Sequence, residues 1–267
     1  MNQKPKHTVK QFPSSRQSTF DVGYLGLRKH HIKALIELDV TTAREMIKKA
    51  RSRHPGGLSF TGWIVKCIGR AIEADKTVHA VRQGKNRLVI FDDIDISLMV
   101  EKEVDGEKVP LPVVIRQVNQ KSLSEITQEI KAAKQQGVGG AKDYVLGESR
   151  YKWVMQLYVS LPQWIRLAIW RMILKNPFLL KDMAGTVIVT SVGMIGRVNG
   201  WVIPVSPLPV CFALGSIVKK PGVVEDRIAI REYLQMTILI DHDVMDGAPA
   251  ARFVAGLTEL IEQGHGL

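Results

Sequence analysis

Leu234-Gln235-Met236-Thr237-Ile238-Leu239-Ile240 runs into Asp241-His242-Asp243-Val244-Met245-Asp246-Gly247, and the hydrophobic period changes between the two halves. Met236, Ile238 and Ile240 alternate with Gln235 and Thr237, the two-residue period of a strand. Beyond the polar residues, Pro249 suits a first helical turn, and Phe253, Val254, Leu257, Leu260 and Ile261 recur at helical spacing. The stretch predicts a strand, a tight corner at Asp246-Gly247 and a helix packed back on the sheet. Such a corner holds His242 in place. A neutral imidazole with a pKa near working pH takes a proton from a thiol or hydroxyl. One histidine between two aspartates is equally the look of an ordinary hydrogen-bonding corner, so the triplet alone assigns no chemistry.

Working outward, the rest of the chain excludes several classes. With 267 residues, 45% hydrophobic and 24% charged, it has the composition of a soluble globular protein able to bury a core. Cys67 and Cys211 stand in apolar surroundings, which suits reduced core residues in a cytoplasmic protein better than a disulfide. The seven histidines and two cysteines show no ligand spacing, so no metal is expected. The basic N-terminus lacks an apolar segment, so no signal peptide is expected. No apolar run reaches the roughly 20 residues that span a bilayer. The net charge of +11 admits nucleic acid, an anionic membrane or a polyphosphate ligand. Its bases are scattered, with a polar arm at Lys4, Lys6, Lys10 and Arg16 and a denser cluster at Arg28-Lys29-His30-His31-Ile32-Lys33. Neither is interleaved with stacking aromatics, so no nucleic-acid partner is expected.

In chain order, residues 1–20 read as a flexible basic arm and residues 21–267 as one domain. Ile32 to Val40 predicts a strand, Thr42 to Glu45 a capping box opening a helix, and Ser59 or Thr61 the cap of the next helix. Strands are expected over Arg87 to Phe91, Ile94 to Val100 and Val113 to Val118, then a second capping box at Ser122-Leu123-Ser124-Glu125. Gly185-Thr186-Val187-Ile188-Val189-Thr190-Ser191 predicts a β-branched strand ending in two hydroxyls, before a turn at Gly193-Met194-Ile195-Gly196 whose spacing is not that of a nucleotide loop. Val210 to Val218 is a buried strand containing Gly215. Between them, 137–182 is rich in aromatics and bases, and Leu161 to Leu174 forms an amphipathic helix.

Taken together, His242-x-x-x-Asp246-Gly247 after a strand, Leu58-Ser59-Phe60-Thr61 before a helix, Asp95-Ile96-Ser97, Val113-Val114-Ile115-Arg116 and the Gly185 to Gly196 element resemble, in order and spacing, the catalytic domain of the dihydrolipoyl acyltransferases of 2-oxoacid dehydrogenase complexes. These are relatives of chloramphenicol acetyltransferase. The resemblance implies an α/β (α+β) chloramphenicol acetyltransferase-like fold, a mixed-sheet sandwich with flanking helices, assembling as a trimer with its active site between subunits. It implies an acyltransferase moving an acyl group between coenzyme A and a dihydrolipoyl thiol. His242 would be the general base and Thr190 the hydroxyl facing the oxyanion, with Ser191 the alternative if the strand shifts. Asp246 would be structural, paired with Arg28 or another arginine, with Gly247 and Asp243 as secondary candidates; Asp243, an acid beside the base, is expected to raise the imidazole pKa by favouring its charged form. The coenzyme A contacts are left unassigned.

Four departures qualify the match. Lipoyl and subunit-binding domains are absent, so a lipoyl group would sit on a carrier chain. Asp243 stands where the family usually has Arg. Gly106 to Leu111 replaces a short Gly-rich approach, and 137–182 is an atypical insert. Its helix is expected to pack on the core or a second subunit, and membrane contact is not expected. The alternatives are a coenzyme A-dependent transferase acting on a free small molecule, and a non-catalytic structural or acyl-CoA-binding homologue.

Overall fold

The computed structural model describes residues 7–9, 15–53, 57–104, 107–137, 158, 160–192 and 199–267. The elements in order are α1 (Ser15–Gly26), β1 (His31–Asp39), α2 (Thr41–Arg53), α3 (Phe60–Ala74), a 3-10 turn (Lys76–His79), β2 (Val81–Gln83), β3 (Arg87–Val89), β4 (Ile96–Val104), β5 (Glu107–Ile115) and α4 (Leu123–Gln135). After them come α5 (Gln163–Lys175), α6 (Pro177–Ala184), β6 (Val187–Ser191), β7 (Val210–Val224), β8 (Arg227–Asp241) and α7 (Gly247–Glu262). Six strands form one mixed sheet in the order β1-β8-β7-β6-β4-β5, with β6 parallel to β4 and β7 and the other pairs antiparallel. β2 and β3 make a separate ribbon.

Alternation on β8 sets the two faces of this sheet. Ile32, Ile240, Val210 and Val187 stand in one row across four strands, and Ala34, Ile238, Phe212 and Val189 in another. This face belongs to the main core, which also takes in Trp63, Ile64, Ile68 and Ile72 of α3, Ile126 and Ile130 of α4, and Leu257 and Ile261 of α7. Each fully buried side chain of this kind contributes about 1.5–3 kcal/mol. The residues between them face the other way. Ile188 packs against a second cluster that includes Ile173 of α5, Leu180 of α6 and Leu208. Helices therefore flank both faces.

Local chemistry explains most boundaries. Ser59 caps α3 by accepting from the Gly62 amide at 3.3 Å, and Ser122 with Glu125 forms the expected capping box on α4. Gly185 ends α6 at φ +69, where a Cβ would stand 2.5 Å from the Asp95 carbonyl oxygen. Only glycine meets both conditions, and the chain turns there directly into β6. Asp95 is itself buried, and its carboxylate takes Arg116 at 3.0 Å and Lys181 at 2.7 Å. That cluster ties β4, the residue after β5, and α6 into one unit.

Several boundaries differ from expectation. Thr42 lies inside α2, and the helix start is held by Asp39, which accepts from the Thr41 amide at 3.0 Å. α1 begins at Ser15, inside the stretch expected to be an arm. β5 starts at Glu107 and includes Pro110 and Pro112. Prolines argue against a central strand, but β5 is an edge, and residues two apart point their nitrogens away from β4. β4 likewise runs on to Val104, while the Asp105-Gly106 turn lies outside the described residues. β7 and β8 are each 15 residues long, far beyond the expected Val210 to Val218 and Leu234 to Ile240, with a register irregularity between Leu214 and Ile217. The insert helix runs from Gln163 to Lys175.

Candidate active site

β8 delivers His242 one residue past its last paired position. The His242 amide donates to the His30 carbonyl at 2.8 Å, and the Asp241 amide to Pro209 at 2.9 Å. Asp241 is buried, accepts from Lys29 at 2.6 Å and from the Asp243 amide at 3.2 Å, and its carbonyl takes the amides of Val244 and Met245. The corner is thus clamped through its backbone and its first carboxylate. The His242 side chain remains 53% exposed, with Nδ1 3.9 Å from Asp246 Oδ1. Asp246 occupies the cap position of α7 without a side-chain capping bond, and Gly247 is the first helical residue.

Two expectations about the aspartates change. Asp246 faces His242, whereas Arg28 bonds the Tyr24 hydroxyl and lies over that ring at 4.2 Å. Asp243 turns away from its neighbour to His30 Nδ1 at 3.0 Å and Arg82 at 3.5 Å. The His30 hydrogen bond, with Arg82 and Lys29 adding charge, holds the Asp243 carboxyl below the usual range. Lys29 and His30 were legible only as part of a basic cluster. They become the support of the corner because β1 pairs with β8 so that His31 stands opposite Asp241.

The hydroxyls lie elsewhere. Thr190 pairs with Ala213, which pairs with Thr237, and Ser191 pairs with Leu214, which pairs with Met236. Met236 is on the main-core face, so Ser191 faces the core side and Thr190 the opposite side. From Thr237, β8 runs on to Asp241, about 13 Å further, and Thr190 lies two strands, about 10 Å, to the side. Within one chain Thr190 and His242 do not meet. The turn at Gly193 to Gly196 lies outside the described residues.

A cavity of about 880 Å³ opens on the core side of the sheet, lined by Ser191, Phe60, Arg44, Lys48, Arg51 and Lys219 among others. Its cations outnumber its acids, Glu45 and Glu232, and Arg44 pairs with Glu232 at 3.1 Å. Cys67 and Cys211 are buried free thiols, each pushed by burial to about 12, which removes them as nucleophiles. Among the described residues no three His, Cys, Asp or Glu side chains are grouped to hold a metal ion.

With a histidine on the corner after β8 and a hydroxyl pair at the end of β6, two strands away, in place, comparison with known proteins decides the family. The sequence model described as 2-oxoacid dehydrogenases acyltransferase (catalytic domain) matches residues 25–142 and 175–267. The chain belongs to this family. A curated relative, the lipoamide acyltransferase component of the branched-chain alpha-keto acid dehydrogenase complex of Bacillus subtilis, is 24% identical over 270 residues, covering 94% of this chain and 54% of the relative. The chain thus spans about half the length of that acyltransferase. The cubic core of a pyruvate dehydrogenase multienzyme complex superposes with a TM-score of 0.69 at 16% identity, covering 97% of this chain and 92% of the other. Azotobacter vinelandii dihydrolipoamide acetyltransferase superposes at 0.68 and 15% identity over 98% and 97% of the two chains, in work on the role of a serine, a histidine and an asparagine in its catalytic mechanism. Chloramphenicol acetyltransferase follows at 0.51 and 12% identity, with 95% of each chain covered. The expected acyltransferase fold is therefore the observed one, and the match to the acyltransferase family passes over residues 143–174, inside the insert.

Proposed function

We propose that the protein transfers an acyl group between coenzyme A and a dihydrolipoyl-type thiol, at a site shared by two subunits of a trimer. One observation carries the shared site: the sheet register holds His242 and Thr190 apart within a chain. In the Azotobacter protein the named serine stands 52 positions before the named histidine and the asparagine four after it. Thr190 and Asp246 stand at those separations from His242 here. That correspondence supports Thr190 over Ser191 as the oxyanion donor, and the cubic core formed by a relative supports an assembled state.

In this reading Asp246 beside Nδ1 favours the tautomer that carries its proton there, leaving Nε2 to accept one. Nε2 takes the proton of the coenzyme A thiol, and the thiolate attacks the carbonyl carbon of the acyl dihydrolipoyl thioester. The Thr190 hydroxyl of the neighbouring subunit donates to the oxyanion, which lowers the barrier by about 3 kcal/mol. Collapse breaks the bond to the dihydrolipoyl sulfur, and the leaving thiolate takes the proton from the imidazolium. No acyl-enzyme is formed.

The test is coenzyme A release from acetyl-CoA and longer acyl-CoAs, with and without dihydrolipoamide, beside His242→Ala. Release that requires both dihydrolipoamide and His242 is expected. Because the side chain is half exposed, the variant should fold, and its turnover should fall by orders of magnitude. Undiminished release by a folded His242→Ala protein would remove the mechanism, and release only to a hydroxyl or amine acceptor would replace the thiol.

A further inference from the structure

The two helices α1 and α5 form an accessory layer. Residues 15–24 of α1 and residues 163–174 of α5 both fall outside the acyltransferase family match, yet they are bound to each other through a buried ion pair. Arg166 donates to Asp21 at 2.6 and 3.2 Å, and the Tyr158 hydroxyl donates to the same carboxylate at 2.7 Å. Asp21 is fully buried. Leaving such a charge without its partners is costly, so the pair fixes how α5 is presented. Asp21 is also the only carboxylate on either helix.

What the layer presents is apolar and basic. On α5, Trp164 is 72% and Met172 59% exposed, one side of a helix whose opposite side carries the buried Arg166 and Ile173. Arg171 and Lys175 are exposed beside them. Phe20 on α1 and Leu27 just past its end are exposed as well. Two copies of this surface facing each other would oppose like charges with no acid to offset them, which disfavours self-docking. Trp and Met at the helix surface, with long cationic side chains able to keep their heads in water while their stems are buried, match the chemistry of an anionic bilayer surface. Among the described residues no helix is long and apolar enough to cross a membrane, so contact would be lateral.

We propose that the α1–α5 layer docks the enzyme on anionic phospholipid surfaces, with Trp164 and Met172 entering the headgroup boundary and Arg171 and Lys175 pairing with lipid phosphates. The assembled protein is spun with phosphatidylglycerol vesicles and with phosphatidylcholine vesicles. Pelleting with the first and not the second is expected, falling as salt rises. Arg171→Glu with Lys175→Glu should lower the partition about tenfold or more, as should Trp164→Ser with Met172→Ser. Coenzyme A release should be unchanged in both variants. The proposal is overturned by failure to pellet with either vesicle, or by equal pelleting of the wild type and the Trp164→Ser, Met172→Ser variant. It is also overturned if either variant changes the oligomeric state, which would make this face a contact between copies.

Discussion

Thr190 and Ser191 are adjacent, yet alternation sends one hydroxyl to each face of the sheet, so in the proposed mechanism the choice between them decides where the oxyanion would be held. Thr190→Val should lower the turnover number by about 10² to 10³ with little change in KM, while Ser191→Ala should stay within about twofold. The reverse result would move the donor to the cavity lined by Ser191. His242 and its spacing to Asp246 were readable because the corner is local: a strand, a helix and the residues between them. The partners of the corner were not. Asp243 is engaged by His30 and Arg82, residues distant in sequence that only strand pairing and the β2 ribbon bring near. Its lowered pKa means that this carboxylate stabilises the fold above its unfolded-state pKa, and that the contribution is lost as pH falls through the lower folded value.

At the scale of elements, two connections set where the site elements stand. Gly185→Ala would place a side chain in the left-handed region and against the Asp95 carbonyl, so unfolding free energy should drop by about 2 kcal/mol or more, measured by denaturant titration. The accessory layer makes its own contribution: Asp21→Ala strands the buried Arg166 and should cost about 3 kcal/mol or more. Helices with caps inside their own sequence, such as α3 and α4, were legible in detail. Elements whose limits depend on position in the sheet were not. β5 continues through two prolines because it is an edge, and β7 and β8 extend because each is the other's partner, well past the reach of β1 and β6. No local pattern carries that information.

Across the whole molecule, acid stability and assembly follow from buried groups and register. His79 is buried, bonded to the Phe91 carbonyl and the Thr186 hydroxyl, and burial pushes its pKa down to about 4. The fold holds it neutral while the unfolded chain protonates near its ordinary value. Stability should therefore decline as pH falls from about 6.5 toward 4 and level off below, a loss of about 3 kcal/mol from this group. His79→Gln should flatten that limb of the curve. In the proposed mechanism assembly bears on catalysis itself, because His242 and Thr190 would act together only if one came from each of two subunits. The most direct test mixes inactive His242→Ala chains with inactive Thr190→Val chains, refolded together, and measures coenzyme A release. Every hybrid trimer should recover one of its three sites, where an intact His242 meets an intact Thr190 from its neighbour, so an equal mixture should recover about a quarter of all sites. Hybrids that assemble and remain as inactive as the parents would contradict a site shared between subunits.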